Sequence, residues 1–211
     1  MNHLHTTSPL PSKEQIQQLP VFQNLAPEQI QLISKLEHCH ALQNELFAAP
    51  FFGFDSESKP TFRKGEVATG PHVIQLATVN KAYIFQISPA ILDFLTPIFE
   101  NPEQLKVGFG LKNDAHLFRK KGIHFNQVLD LSKAFTAFGI TTPVGVKNAM
   151  ALLFQVNFPK SKSVSTSNWS KFPLSAAQIQ YAAADAYAPV LIYQELQRLG
   201  ITLPTAQHRT K

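Results

Sequence analysis

The stretch Phe51-Phe52-Gly53-Phe54-Asp55-Ser56-Glu57-Ser58-Lys59-Pro60 runs from an apolar segment into two carboxylates two residues apart. On a strand, positions i and i+2 point to the same face. Asp55 and Glu57 therefore stand side by side at the end of a buried strand. Two like charges that close raise each other's pKa unless a cation lies between them. One reading is a divalent metal site. The other is a polar strand end entering a turn built by Ser56, Ser58 and Pro60. Taken alone, the pair favours the turn, because single motifs produce false positives. Residues far along the chain decide between the two.

At 211 residues the chain is long enough for one sizeable α/β domain with its own core. A hydrophobic fraction of 44% fits a globular protein, and no apolar run approaches a membrane span. The segment Met1 to Lys13 lacks the apolar centre of a secretory signal. Cys39 is the single cysteine, which excludes an intrachain disulfide and is compatible with a cytoplasmic location. A net charge of +5 favours polyanions such as nucleic acid only slightly, without identifying one.

Residues 1 to about 12 read as a loose polar tail. Ala26-Pro27-Glu28 reads as a helix start, followed by Ile30, Ile33 and Leu36 at helical spacing. Glu37-His38-Cys39-His40 holds metal-ligand residue types, but neighbours on a helix diverge, so the segment reads as a solvated helix face. After the opening strand and a polar loop from Lys59 to Pro71, residues 72–78 and 82–87 read as strands joined by Val79-Asn80-Lys81. These three strands form an antiparallel meander. Helix and strand then alternate: helix 91–99, strand 106–109, helix 113–121, strand 128–131. Helical segments follow at 133–138 and 145–156, then a long helix at 176–199. Alternation implies parallel strands added to the meander. The expected fold is α/β, a mixed five-stranded sheet flanked by helices on both faces.

Lys106-Val107-Gly108-Phe109-Gly110-Leu111-Lys112-Asn113-Asp114 passes from strand into helix. Asn113 occupies the third glycine position of a dinucleotide fingerprint, which argues against that reading. Asp114 falls at a helix start beyond a central strand, where ligands gather in α/β sheets. Alone it reads as a carboxylate favoured by the helix dipole. Tyr181 and Asp185 lie four apart on the last helix and share one face, and the alanines between them let that helix approach other backbone closely.

Together these residues resemble the DEDD superfamily of 3′–5′ exonucleases on a ribonuclease-H-like fold. Gly53-Phe54-Asp55-Ser56-Glu57 matches the first motif, Lys112-Asn113-Asp114 the second and Tyr181-x-x-x-Asp185 the third. The branch is the tyrosine one, since Gln180 stands where the other branch has histidine. Ser167-Asn168-Trp169-Ser170-Lys171-Phe172-Pro173-Leu174, Tyr181 to Ala188 and Gln75-Leu76 are similar to the Werner-type exonuclease domains and their bacterial relatives. Ribonuclease D is a more distant likeness. The resemblance covers roughly residues 41 to 199. It divides the chain into a tail and helical extension at 1–40 and an exonuclease domain at 41–211. From the short stretch after the third motif, the sequence is expected to carry neither the extra helical domains of ribonuclease D nor a helicase region.

The resemblance implies a catalytic set of Asp55, Glu57, Asp114, Tyr181 and Asp185. Its four carboxylates would hold two ions of Mg²⁺ or Mn²⁺, hard cations that suit carboxylate oxygen. Asp55 would bridge both ions, Glu57 and Asp185 would hold the one that activates water, and Asp114 would support the other. Tyr181 would orient the water. The implied partner is nucleic acid with a free 3′ end, DNA rather than RNA, and no membrane. Alternatives are RNA trimming of the ribonuclease D type and a silent nucleic-acid-binding module, which the complete carboxylate set argues against. Gln75, Asn113, Lys160 and Lys162 are further candidates for substrate binding. Trp169 is read as packing rather than base stacking, and Asp130 as structural or supporting.

Overall fold

The computed structural model describes residues 10–61, 65–67 and 69–203. Most of the amino-terminal tail and part of the polar loop, residues 62–64 and 68, lie outside the described residues. The helices are α1 (Lys13–Gln17), α2 (Leu36–Ala41), α3 (Gln43–Ala48), α4 (Pro89–Glu100), α5 (Lys112–Lys120), α6 (Val146–Phe154), α7 (Lys162–Ser165) and α8 (Ala176–Arg198). The strands are β1 (Ile30–Ile33), β2 (Phe51–Glu57), β3 (Val73–Ala77), β4 (Ala82–Gln86), β5 (Leu105–Gly108) and β6 (Val128–Asp130). Short 3₁₀ turns cover Pro27–Gln29, Leu131–Lys133 and Thr136–Phe138, the last two in place of the helix expected at 133–138.

Sheet order is β1-β4-β3-β2-β5-β6. β2, β3 and β4 form the antiparallel meander, while β5 joins β2, and β6 joins β5, in parallel. The sixth strand corrects the five-strand expectation. Ile30 to Ile33 is not a helix but an edge strand, parallel to β4 through Ile30↔Ala82 to Ile33↔Phe85. β-branched Ile30 and Ile33 suit a strand, and pairing with distant β4 overrides the helical spacing. The sheet thereby extends into the stretch read as a helical extension.

Alternation along β2 sends Phe52 and Phe54 to one face and Gly53, Asp55 and Glu57 to the other. On the first face Phe54 meets a ring cluster with Phe99, Phe118 and Phe125, fixing α4 and α5 against the sheet. Cys39 is wholly buried in this core, so α2 is not solvated all round. α8 covers the second face with Ala182, Ala183, Ala186 and Val190 against Val73, Ala77, Ala82 and Ile84. Gly53 makes this approach possible: a Cβ there would stand 1.9 Å from the carbonyl oxygen of Ala186. The side chain of Lys106, wholly buried, donates to the carbonyls of Ile98, Phe99 and Asn101 at 3.0, 3.2 and 3.3 Å, closing the end of α4 beside β5. Among the described residues no helix is long and apolar enough to cross a membrane.

Candidate active site

The close approach of α8 to β2 brings Asp185 to the face that carries Asp55 and Glu57. Ligand oxygens of these three carboxylates lie within 4.8 Å of one another. Ser175 starts α8 by accepting from the Gln178 amide, and Gln178 returns a side-chain bond to the Ser175 backbone. The Gln178 side chain also donates to Ser167 Oγ at 3.0 Å and to the Asn168 carbonyl at 3.3 Å, tying the preceding loop to the helix. Tyr181 lies one turn before Asp185 on this anchored helix.

Such crowding has an electrostatic signature. Burial first, then the carboxylates of Asp185, Asp114 and Glu57, holds Asp55 well above the ordinary carboxylate range. Burial and then Asp185 push Glu57 up to about 8. Burial raises Asp185 as well, opposed by Lys160. The Tyr181 phenol is pushed above its ordinary value by burial and then by Asp185 and Glu57, so it stays protonated. Carboxylates packed this closely bind either protons or cations. An all-oxygen donor set of this charge fits a hard divalent ion such as Mg²⁺ or Mn²⁺.

Asp114 stands apart from the three-carboxylate group. It enters in the first turn of α5, and its Oδ1 accepts a hydrogen bond from the Ser56 hydroxyl. Ser56, between Asp55 and Glu57, points to the opposite face and so couples the second motif to the first. Its sequence reading as a turn residue missed this. Gly108 permits the close packing there, since a Cβ would stand 2.5 Å from the Phe54 carbonyl oxygen. Asp130 accepts from the backbone of Gly110 and of Ser132, each at 3.0 Å, and so braces the loop leading to Asp114.

The remaining candidates divide. Lys160 Nζ lies 3.3 Å from Asp185 Oδ2 and 5.9 Å from the centre of the Tyr181 ring. Lys162 is exposed at the start of α7, and Asn113 is exposed beside Asp114. Gln75 has no exposed surface, so it is not a substrate contact. Trp169 is buried at 1% exposure, donates to the Ser165 carbonyl at 3.2 Å and lies 5.9 Å from the Tyr181 ring, which makes it packing.

A mixed sheet with this order, bearing carboxylates from its central strand and from a covering helix, is a ribonuclease-H-like fold. A family model described as 3′-5′ exonuclease matches residues 30–201, and the chain belongs to that family. The mouse bifunctional 3′-5′ exonuclease/ATP-dependent helicase WRN is 33% identical over 155 residues, covering 71% of this chain and 11% of that protein. Ribonuclease D of Acidiphilium cryptum is 30% identical over 174 residues, covering 81% of this chain and 43% of that protein. The chain thus spans less than half the length of both relatives. The exonuclease domain of Aedes aegypti Nibbler superposes with a TM-score of 0.71 at 24% identity, covering 85% of this chain and 95% of that one.

Proposed function

We propose that this protein is a metal-dependent 3′–5′ exonuclease that hydrolyses DNA from its 3′ end and releases nucleoside 5′-monophosphates. The observation that carries the reading is the convergence of Asp55, Glu57 and Asp185 within 4.8 Å, with a protonated tyrosine one turn away. Asp55, Glu57 and Asp185 would hold one divalent ion, and Asp55 with Asp114 a second. Bound dications supply the charge that makes water a nucleophile near neutral pH and offset the charge gathering on the phosphate.

The chain's own groups do the rest. Tyr181, whose hydroxyl is hydrogen-bonded to the Asp185 carboxylate in the metal-free chain, would turn that hydroxyl to the attacking water and fix its line of approach. Lys160, already drawn to this cluster, faces the phosphate of the terminal nucleotide. Lys162 and Asn113, both exposed, would contact the strand behind it. Membership in the exonuclease family and the match at 33% identity support this reading.

A second reading is RNA 3′-end trimming, favoured by the likeness to ribonuclease D. The two differ in whether a 2′-hydroxyl is tolerated or required. Digestion of 5′-labelled single-stranded, recessed and blunt DNA beside RNA, each with Mg²⁺, Mn²⁺ or EDTA, decides between them. The proposal predicts metal-dependent ladders on DNA. Ladders on RNA alone would establish the second reading, and no cleavage of either would leave a binding module.

A further inference from the structure

Gln75 lies in the middle of β3 with no exposed surface, and neither its Oε1 nor its Nε2 has a hydrogen-bond partner. A buried amide in that state costs the fold free energy, because the water it gave up is not replaced. Val73 and Ala77, which share its face, belong to an apolar cluster with Ala182, Ala183 and Ala186. Methionine or leucine would fill the position without that cost. Packing therefore gives no reason for an amide here.

The register gives one. Gln75 stands directly opposite Asp55 in the antiparallel β2–β3 pair. Opposed residues share a face, with Cβ atoms about 4.5–5.5 Å apart. That face is the one α8 covers, and Asp55 is one of the three carboxylates that cluster there with Glu57 and Asp185. The only polar side chain facing Asp55 from β3 is thus an amide with both ends uncommitted.

We propose that Gln75 is a positioning residue for Asp55: its amide, uncommitted in the metal-free chain, is the group available to donate to the Asp55 carboxylate when that carboxylate takes up a divalent cation, and it limits the orientations from which Asp55 holds the ion. The inference rests on the metal-dependent reading above. Groups that orient a metal-holding side chain change metal affinity by roughly 10–100-fold when removed.

The test titrates purified full-length protein with Mn²⁺, reading free ion by electron paramagnetic resonance, and records melting curves without metal. Gln75→Met and Gln75→Leu keep the volume and remove the amide. Both are expected to melt at or above the wild-type temperature and to bind Mn²⁺ at least tenfold more weakly. Wild-type Mn²⁺ affinity in either folded variant overturns the proposal. Lower melting temperatures in both would show an amide serving the fold, and overturn it too. Asp55→Asn separates the inference from its premise: if that variant and the wild type bind Mn²⁺ equally well, the metal reading fails and the Gln75 role with it.

Discussion

The ammonium of Lys160 and the carboxylate of Asp185 are ion-paired at 3.3 Å, one side chain 43% exposed and the other 3%. This pair sets a half-exposed cation against the least exposed acid of the cluster. Lys160 thereby offsets part of the repulsion among Asp55, Glu57 and Asp185. The same charge opposes an incoming dication. Lys160→Met is expected to bind Mn²⁺ roughly threefold to tenfold more tightly, the scale of about 1 kcal/mol for a partly screened charge. It should also cleave more slowly, because the phosphate loses its cation. Isothermal titration with Mn²⁺ beside single-turnover cleavage reads both signs. Weaker metal binding in Lys160→Met would refute the opposition.

Tyr181 and Asp185 share a helix face and divide the labour. A phenol held above its ordinary pKa is a hydrogen-bond donor and a poor base. Tyr181→Phe is therefore expected to lose about 10²-fold in rate while keeping its metal. Asp185→Asn should lose metal directly. Calorimetry of Mn²⁺ binding and single-turnover cleavage on both variants check this. Near-wild-type cleavage by Tyr181→Phe would break the division.

How much of this was legible in the sequence depends on how local each feature is. Asp55 with Glu57, and Tyr181 with Asp185, are set by strand and helix periods, and these residues meet as their spacing implies. The meander and the alternating helices followed from runs of apolar residues. Ile30 to Ile33 did not, because its strand state depends on pairing with β4 some fifty residues away. Ser56 with Asp114 and Lys160 with Asp185 are likewise contacts between separate elements. The burial of Gln75 depends on α8 covering β3, which no local pattern reports.

Proton linkage gives a prediction of definite sign. Glu57 moves from an ordinary 4.5 to about 8 in the fold, and Asp55 and Asp185 move the same way. Between those two values these three acids hold more protons in the fold than in the unfolded chain, and they outnumber His72, held below its ordinary value by burial, and Lys106, pushed down by burial to about 7, which work the other way. Stability without metal should therefore fall as pH rises from about 4.5 to about 8. Melting curves across that range should decline, and Glu57→Gln should flatten the decline. Adding Mn²⁺ should raise the melting temperature more at pH 8 than at pH 5. A metal-free melting temperature that rises through this window would contradict the assigned shifts.

On the proposed reading, the cluster around Asp55 makes this chain a metal-dependent enzyme acting from the 3′ end. The most direct test of that reading is a denaturing gel of a 5′-labelled DNA single strand incubated with wild type or Asp55→Ala, in Mn²⁺ or EDTA. The account predicts a descending ladder from the 3′ end with wild type in Mn²⁺ alone, and intact strand in the other three lanes. A ladder in EDTA, or one from folded Asp55→Ala in Mn²⁺, would contradict it.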